Sequence, residues 1–376
     1  MEAMTENIDL NNLHKSTWET FKFEEIAQKI SKTVKPEEAE VDIYVGLEHI
    51  DASDIHIRRK GVPADVKGGK LRCYPGDVIF GKRRAYQRKA AIVDFDGICS
   101  AHAFVFRANE NIIKPELFPF FLHSDQFMHR MVDISVGGLS PTINWGDLKQ
   151  QEFLLPPKDQ QAKLAELLWA MDEVIERGIE VITQLKTTRD IFFEKLISES
   201  LGKKIPLSKI LIQKKEKSQV PHQRDKYIGL EHIESGKFRT NHYSNTESVL
   251  AQCNIVNEGD LCYSKLRPYL DKAIIATFNA ISTTELLIYD TKLVSKEYIL
   301  YHLHSRKFID YVSSQGFGTK MPRVSHKIIG QYEILIPENE EEFILKMNKF
   351  LEAEDSAQFK ISSSKALQKS LINQLF

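Results

Sequence analysis

The chain contains the stretch Tyr44-Val45-Gly46-Leu47-Glu48-His49-Ile50, which returns 183 positions later as Tyr227-Ile228-Gly229-Leu230-Glu231-His232-Ile233. A second block keeps this offset, because Gly, Asp, Lys, Arg and Tyr recur at matching positions in residues 75–86 and 258–269. Downstream the offset falls to 181, where Leu122-His123-Ser124 matches Leu303-His304-Ser305. Ordered matches at a nearly constant offset indicate an internal duplication, so the sequence predicts two similar modules in one chain.

Each copy is followed by a long segment that carries the signals of a helix. The segments begin at Lys158 and Glu338, just after a proline, with acidic residues that favour the first turn of a helix. Apolar residues in the first segment recur at alternating steps of four and three, and the second segment repeats this heptad pattern at matching positions. The predicted seam residues are Leu164, Leu168, Met171, Ile175, Ile182 and Leu185 in the first segment, and Phe343, Met347, Phe350, Ile361, Leu371 and Leu375 in the second.

An apolar stripe on a helix of nearly forty residues, roughly 55–60 Å long, needs a cover. The other long helix of the chain can supply it, so we expect a coiled pair. The second stripe is polar in its middle, at Glu354, Ser364 and Gln368. The alternative is that each helix packs on its own module as part of the core.

Within each module the residues predict a mixture of strands and helices. The repeated seven-residue stretch opens with β-favouring residues and predicts a strand that leads into a surface loop. Turn signals at 75–77 and 258–260 lead into short apolar runs typical of buried strands. Helical patterns follow around residues 117–132 and 298–312. Each module is therefore predicted to be mixed α and β.

The composition, 42% hydrophobic and 27% charged over 376 residues, is that of a globular protein with two to three domains. No run of eighteen apolar residues is present, and the N-terminal residues lack the pattern of a secretion signal, so we expect a cytoplasmic protein without a membrane segment. The four cysteines are scattered and form no CxxC pair. A disulfide framework and a four-thiolate zinc site are therefore not supported.

The net charge of −1 argues against a nucleic-acid binder, but the charge is unevenly distributed. Between His56 and Ala90 there are eleven basic residues and two acidic ones. The Lys-x-Arg at 82–84 and at 265–267 follows a predicted buried strand, a placement that suits phosphate contact from a loop with a rigid base. Tyr86 and Tyr269 lie close by and could stack or pack, with packing favoured. In the second copy a merely solvated surface explains the charges equally well.

Together these features resemble the specificity subunits of Type I restriction–modification systems. The resemblance rests on the two Gly-Asp-x4-Lys-x-Arg-like blocks, the repeated Gly-Leu-Glu-His-Ile words, and the helix start Asp159-Gln160-Gln161. It also rests on a glycine-bearing loop followed by Leu154-Leu155-Pro156-Pro157 in one copy and Ile334-Leu335-Ile336-Pro337 in the other. These features cover the chain beyond its first dozen residues.

The resemblance implies a mixed α/β fold, with two similar α+β target-recognition domains separated by a pair of long antiparallel coiled-coil helices. The implied boundaries are 1–157 for the first target-recognition domain, 158–199 for the first long helix, 200–337 for the second domain and 338–376 for the second helix. Each domain would read one half of a bipartite sequence in double-stranded DNA. The helices would set the gap between the halves.

The resemblance also implies partners for the chain. Two modification (methyltransferase) subunits would dock on the helices and supply the S-adenosylmethionine chemistry on adenine, and the restriction motor-nuclease subunits would join through the complex. The chain itself would have no catalytic residue, cofactor or metal. The residues that we expect near DNA, mostly at phosphates, are Lys82, Arg83, Arg84, Tyr86, Arg88, Thr142, Lys265, Arg267, Tyr269, Thr319, Lys320 and Arg323.

Two other functions compete with DNA recognition. A metal-dependent nuclease could use Asp77 with Lys82, and Asp260 with Lys265, but each copy lacks a second acidic residue in a shared frame, and a turn cap is the favoured role of Asp77. Nucleotide-binding glycine loops and the His-Glu-x-x-His metal motif are absent from the sequence. The remaining alternative is a duplicated protein-binding scaffold, whose affinity should depend far less on salt than that of a DNA reader.

Overall fold

The structure, a computed structural model, describes residues 15–318 and 320–376. The described residues fall into two units. The first unit comprises residues 15–180 together with Gln358–Phe376, and the second comprises Val181–Ala357. Each unit therefore contains part of each long helix in addition to one copy of the repeated module.

The first unit opens with a strand and a one-turn helix and continues as a series of short strands and helices. Its strands are β1 (Glu19–Lys22), β2 (Ala27–Ile30), β3 (Thr33–Val34), β4 (Tyr44–Val45), β5 (Lys70–Cys73), β6 (Val78–Gly81), β7 (Ala90–Ile92), β8 (Gly97–Cys99), β9 (Ala103–Ala108) and β10 (Glu152–Leu155). Its helices are α1 (Phe23–Ile26), α2 (Phe118–His123), α3 (Asp125–Asp133), α4 (Trp145–Leu148) and the start of α5 (Lys158–Glu199).

The second unit follows the same plan. Its strands are β11 (Gly202–Pro206), β12 (Leu211–Lys214), β13 (Lys217–Ser218), β14 (Lys226–Ile228), β15 (Ser244–Asn245), β16 (Cys253–Val256), β17 (Leu261–Ser264), β18 (Ala273–Ile275), β19 (Ala280–Ser282), β20 (Leu286–Thr291) and β21 (Glu333–Pro337). Its helices are α6 (Lys296–Leu303), α7 (Arg306–Ser314), α8 (His326–Gln331) and the start of α9 (Glu340–Leu375).

The sheets of the two units correspond strand by strand. In the first unit the orders are β1-β10, β2-β9-β6-β7 and β3-β5-β8-β4. In the second they are β11-β21, β12-β20-β17-β18 and β13-β16-β19-β14-β15, so β15 is the one addition among the described strands. The predicted mixed α/β architecture with two similar domains is confirmed.

The same turn occurs in both units, directly before the buried strands β6 and β17. Gly76 and Gly259 have positive φ (+88° and +81°), which a residue with a side chain adopts only with strain. The carboxylate of Asp77 accepts the N–H of Tyr74 at 3.0 Å, and Asp260 accepts the N–H of Asn257 at 2.8 Å. Glycine and aspartate recur at these positions because both turns need them, and all four residues of β6 and of β17 are buried.

The repeated seven-residue stretch forms a shorter strand than we expected. In the first unit β4 contains only Tyr44 and Val45, and residues Leu47–His49 then form a 3₁₀ turn. The N–H of Gly46 donates to Nδ1 of His49 at 3.1 Å, and the N–H of Gly229 donates to Nδ1 of His232 at 2.9 Å. The histidine of this stretch therefore holds the turn that ends the strand.

The repeated Leu-His-Ser word divides each predicted helical region into two helices. Ser124 caps α3 by accepting the N–H of Phe127, and Ser305 caps α7 by accepting the N–H of Phe308. Such a cap is worth about 1 kcal/mol. The preceding histidines bind equivalent carbonyls, since His123 contacts the Ala90 oxygen at 2.8 Å and His304 the Ala273 oxygen at 3.0 Å. The sequence pattern predicted the helical content but missed this break.

The long helices α5 and α9 contain 42 and 36 residues and run antiparallel where they pair. In the first unit the side chain of Gln368 donates to the Leu168 carbonyl, and Ile361 lies against Gly178. In the second unit the rings of Phe192 and Phe350 are 5.5 Å apart. α9 begins at Glu340 because Asn339 accepts the N–H of Glu342 and so occupies the capping position.

Parts of both long helices also belong to the cores of the units. The expectation that the helices pair with each other and the alternative that they pack into the cores of the modules therefore both hold in part. In the first unit Leu164, Leu168, Leu371 and Leu375 join the main core, and in the second Phe343 and Met347 do so. The first core is rich in aromatic rings, of which Phe23, Phe80, Phe106, Phe121, Phe127 and Phe153 are fully or almost fully buried. These cores give the loops that follow β6 and β17 a rigid base.

Candidate nucleic-acid interface

The loop that leaves β6 in the first unit has a strained backbone. Arg84 and Arg88 adopt left-handed conformations (φ +56° and +52°) on either side of a 3₁₀ turn at Ala85–Gln87. This conformation costs an L-residue roughly 1–2 kcal/mol, so the surrounding structure must hold it. The N–H of Arg84 donates to the Pro141 carbonyl at 2.7 Å, which fixes the loop against residues 136–142.

Residues 136–142, which we call the first hairpin, are paired to this basic loop. Arg83 and Val136 both form antiparallel bridges with Thr142, and the N–H of Ile143 donates to the Lys82 carbonyl at 2.9 Å. The hydroxyl of Ser140 accepts from Nε of Arg83 at 2.7 Å and from Nε of Arg84 at 3.2 Å. One hydroxyl therefore orients two exposed guanidinium groups and leaves their outer N–H groups available.

The second unit reproduces this backbone with different side chains. Arg267 and Asp271 are left-handed (φ +50° and +49°), and the N–H of Arg267 donates to the Pro322 carbonyl at 2.7 Å. Arg323 bridges both Leu266 and Phe317, so residues 317–323, apart from Thr319, form the second hairpin. The same strained loop and hairpin have thus been kept in both copies, which supports a shared function for this surface.

The charged groups of the second loop are arranged differently from those of the first. Glu285 lies 3.1 Å from Arg323 and 3.9 Å from Lys265, so it pairs with both cations. Arg267 and Lys320 are exposed, and the described residues supply no hydrogen-bond or ionic partner for their side chains. Among the described residues of the second loop and hairpin, Arg267 and Lys320 are therefore unpaired cations.

The other residues that we expected near DNA lie in three kinds of environment. Tyr86 and Tyr269 are 54% and 52% exposed, so the expectation that they pack inside is not met. Lys82 lies over the Phe104 ring at 5.3 Å, and burial, with Lys29 nearby, lowers its pKa. Arg88 donates to the His123 carbonyl and pairs with Asp125 at 2.7 Å, so it is engaged within the unit. Thr319 lies outside the described residues.

The predicted seam residues are distributed between fully buried and partly buried positions. Leu164, Leu168, Ile175, Phe343, Met347, Ile361, Leu371 and Leu375 are buried, whereas Met171, Ile182, Leu185 and Phe350 are partly buried. Two of the three polar residues in the middle of the second stripe have partners on α5, since Glu354 pairs with Arg189 and Gln368 binds the Leu168 carbonyl. Polar residues on the seam are therefore part of the pairing.

The aspartates that a nuclease would need are fully engaged in the fold. Asp77 is completely buried and accepts from Nε of Arg107 at 2.8 Å in addition to its turn N–H. Asp260 is equally enclosed and accepts from Nζ of Lys214 at 2.9 Å. The predicted role of Asp77 as a turn cap agrees with these contacts.

A polar cluster that the sequence analysis missed ties the first domain to α5 within the first unit. Nε2 of His56 is 2.8 Å from Asp172, and Arg58 binds Glu176 through both terminal nitrogens at 2.5 Å. His56, Asp172 and Glu176 are also the one group among the described residues with donor atoms close enough for a metal ion. Arg58 and His56 supply hydrogen-bond donors to these carboxylates.

Two lysines that the sequence grouped with the basic surface are structural. Nζ of Lys89 donates to the Leu47 carbonyl at 2.5 Å, and Nζ of Lys272 donates to the Leu230 carbonyl at 2.6 Å. Their identical spacing from the repeated stretch is a signal that could have identified this role. Ser140 and Glu285, by contrast, occupy positions where the copies differ, so the repeat gave no indication of them.

Among the described residues, no helix combines the length and the apolar character needed to cross a bilayer.

Comparison with known proteins finds a match to one family in the first half of the chain. Residues 15–186 match the sequence profile described as the Type I restriction modification DNA specificity domain. The Type I restriction enzyme EcoDI specificity subunit of Escherichia coli is 26% identical over 169 residues, which are 44% of this chain and 37% of that relative. The chain thus aligns with less than two fifths of the relative's length.

Solved structures resemble nearly the whole chain in fold. One similar chain comes from a structure whose subject is the structural basis of complex assembly and conformational transition of the type I R-M system. Its TM-score is 0.54 at 17% identity, and the match covers 96% of this chain and 97% of that one. The Type-I restriction-modification system S subunit from M. genitalium gives 0.52 at 15% identity, covering 97% and 98%. At such identities the likeness concerns the fold alone.

Proposed function

We propose that the chain is the DNA-recognition subunit of a Type I restriction–modification complex, because residues 15–186 match the profile of the Type I restriction modification DNA specificity domain. Each module, residues 1–157 and 200–337, reads one half of a bipartite sequence. The chain performs no catalysis and holds no cofactor of its own. Methyl transfer comes from modification subunits bound to it.

The observation that carries this proposal is the duplicated loop and hairpin. Both units hold an arginine, Arg84 or Arg267, in a left-handed conformation at the end of a buried strand and fix it to a hairpin carbonyl at 2.7 Å. Two similar basic loops in one chain suit a ligand that offers two similar contact sites. Double-stranded DNA meets this requirement, since its phosphates recur along both halves of a split sequence.

The proposed contacts with phosphates are assigned by exposure and free N–H groups. Arg83 and Arg84 in the first unit, and Arg267 and Lys320 in the second, are exposed and positively charged. Tyr86 and Tyr269 lie beside them and offer ring faces or hydroxyls to the same backbone. Lys82 and Lys265 support these loops at half-buried positions, and Thr142 pairs with the backbone of the first hairpin. Arg88 contributes to DNA binding indirectly, by fixing its loop to His123 of α2 and Asp125 of α3.

The paired helices, residues 158–199 and 338–376, are proposed to set the number of base pairs between the two halves. Two modification subunits would dock on their exposed faces, and the restriction motor-nuclease subunits would join through the complex. The antiparallel pairing within each unit and the resemblance to specificity subunits support this assignment. We expect the assembly to act in the cytoplasm, where its DNA target lies.

A protein-binding scaffold is the other function that a duplicated chain of this kind could serve, and salt dependence separates the two. Each phosphate contact releases counterions, so the logarithm of DNA affinity should fall with the logarithm of salt by about 0.9 per neutralised phosphate. Replacing Arg84 and Arg267 together with alanine should lower the affinity and reduce this slope by about 2. The control replaces Arg177 and Lys346, two exposed cations of the long helices, and removes the same charge.

Recognition of a DNA sequence by the two modules is tested by mapping methylated adenines in DNA exposed to this chain together with its modification subunits. The proposal requires two short specific sequences at a fixed separation. Methylation without a bipartite pattern, or equal affinity of wild type and double variant at moderate salt, would contradict it.

A further inference from the structure

The two hairpins share a backbone frame but differ at two facing side chains. In both units the residue after the hairpin donates its N–H to the carbonyl of the basic-loop lysine, Ile143 to Lys82 and Val324 to Lys265, each at 2.9 Å. At the matching positions the first unit has His102 and Thr142, whereas the second has Glu285 and Arg323. A common frame with exchanged side chains is the arrangement expected where two modules read different bases.

Glu285 holds the guanidinium of Arg323 by one edge. Nε of Arg323 lies 3.1 Å and Nη2 3.2 Å from the carboxylate oxygens, and Nη1 donates to the Met321 carbonyl at 3.3 Å. Each terminal nitrogen carries two hydrogens and uses one of them in these contacts, so Nη1 and Nη2 each retain one for a ligand. The Arg323 side chain is 37% exposed, so the protein covers it only in part.

The charge around Arg323 does not suit a phosphate. Glu285 neutralises the guanidinium and is also 3.9 Å from Lys265, so a phosphate here would meet a carboxylate between the two cations. A neutral acceptor pair avoids this repulsion. In the major groove of DNA, guanine offers O6 and N7 as such a pair, and two parallel N–H groups of an arginine match them.

We propose that Arg323 recognises a guanine in the second half of the bipartite site, with Glu285 as the positioning residue that orients it. The proposal rests on the proposed function and assigns to Arg323 a base contact in place of the phosphate contact predicted from sequence. The first unit, with Thr142 and His102 at these positions, makes no equivalent contact.

The test is selection of bound DNA from a randomised library by the wild-type chain in its complex, followed by the same selection with variants. Arg323→Lys keeps the charge but not the paired N–H groups, so one guanine of the second half should become degenerate while the first half stays unchanged. Discrimination at that position should fall roughly 5- to 150-fold. Arg267→Ala serves as the matched control and should weaken binding to all sequences alike.

The role of Glu285 is tested through selectivity. Glu285→Gln keeps the size of the side chain but removes its charge, so guanine preference at that position should weaken while thermal unfolding stays close to wild type. Replacing that guanine by 7-deazaguanine, which lacks N7, should weaken the wild type and leave Arg323→Lys almost unaffected.

Three results have distinct meanings. Unchanged guanine preference in Arg323→Lys, or a loss of affinity in this variant that is equal for all sequences, would overturn the base contact and leave DNA recognition standing. A wild-type selection without any bipartite consensus would overturn the proposed function itself. Loss of one guanine from the sequence selected by Arg323→Lys, together with weaker binding of 7-deazaguanine DNA by the wild type but not by this variant, supports the assignment.

Discussion

Arg189 on α5 and Glu354 on α9 form a buried ion pair, with Nη1 of Arg189 donating to Oε1 of Glu354 at 2.8 Å. Both side chains are less than a tenth exposed, and the guanidinium also lies over the Phe238 ring at 5.5 Å. This pair occupies the seam of the long helices within the second unit, where the heptad pattern is polar. A buried charged pair among apolar contacts disfavours other alignments of the two helices, because a shifted register would separate the buried Glu354 from Arg189.

Breaking this pair should destabilise the second unit strongly. Glu354→Ala removes the buried partner of Arg189 and leaves only the exposed Asp190 paired with it, and we expect a loss of about 3–5 kcal/mol in the free energy of unfolding. The double variant Arg189→Met with Glu354→Leu should recover most of the loss, since it removes both charges. Denaturant unfolding measures the effect, and the exposed neighbour substitution Glu352→Gln is the control. A single variant as stable as wild type would show that the pair does not hold the seam.

Gly178 should resist substitution by alanine even though alanine favours helices. A Cβ at this position would lie 2.7 Å from Cγ1 of Ile361, inside the first unit. Overpacking of about 1–3 kcal/mol should exceed the helix-propensity gain of about 1 kcal/mol, so Gly178→Ala should lower stability. Adding Ile361→Ala should relieve the clash. The matched control is Gly146→Ala in α4, where the new Cβ meets no atom within 4 Å, and a loss there equal to that at Gly178 would contradict the argument.

The repeat in the sequence predicted the features that depend on matching residues. Glycine and aspartate at 76–77 and 259–260 form the turns that were predicted there, whereas the helix cap that the repeated serine forms in each unit was not predicted. Features that depend on pairing between distant residues were not predictable. The heptad pattern placed Glu354 on the seam but could not show that Arg189, far away in the chain, would neutralise it.

The candidate interface likewise contains features that local sequence patterns predicted and contacts that they could not predict. The position of the basic loops after a buried strand could be read from local patterns, because turn residues and apolar runs are local signals. The inward direction of Arg88 depends on His123 and Asp125, and the neutralisation of Arg323 depends on Glu285. Such contacts form only when separate strands and helices meet, so a charge count along the chain overstates the number of free cations.

The His56–Asp172 contact should make the stability of the first unit depend on pH. The hydrogen bond to Asp172 raises the pKa of His56 above its usual value, with Glu176 adding to this while burial and Arg58 oppose it. Protonated His56 therefore stabilises the folded unit. This contribution is fully present below the unfolded pKa of about 6.5 and is lost as the pH rises through the higher folded value.

The measurement compares wild type with His56→Gln by denaturant unfolding at several pH values. The difference in stability should be largest near pH 6 and should shrink as the solution becomes alkaline. His129→Gln, at an exposed position of α3, is the control and should follow the wild-type curve. A difference that stays constant over this range would mean that protonation of His56 does not contribute.

Ser140→Ala should weaken DNA binding without changing the sequence that is recognised. Its hydroxyl accepts from Nε of both Arg83 and Arg84, so its loss frees two guanidinium groups that are proposed to contact phosphates. We expect roughly a 2- to 10-fold loss of affinity, corresponding to about 0.5–1.5 kcal/mol for a hydrogen bond. Ser135→Ala, which removes a hydroxyl bound only to the Val132 carbonyl, is the control in titrations with the same DNA. A changed consensus sequence would contradict a purely orienting role.

The buried end of α9 gives the first unit an unusual order of assembly. Leu371, Leu375 and Phe376 lie in its aromatic core, where the ring of Phe376 is 5.2 Å from that of Phe121. The ribosome releases these residues only after the whole second module has been translated. During synthesis the apolar surface around Phe121 therefore stays uncovered, and the module made first completes its folding last.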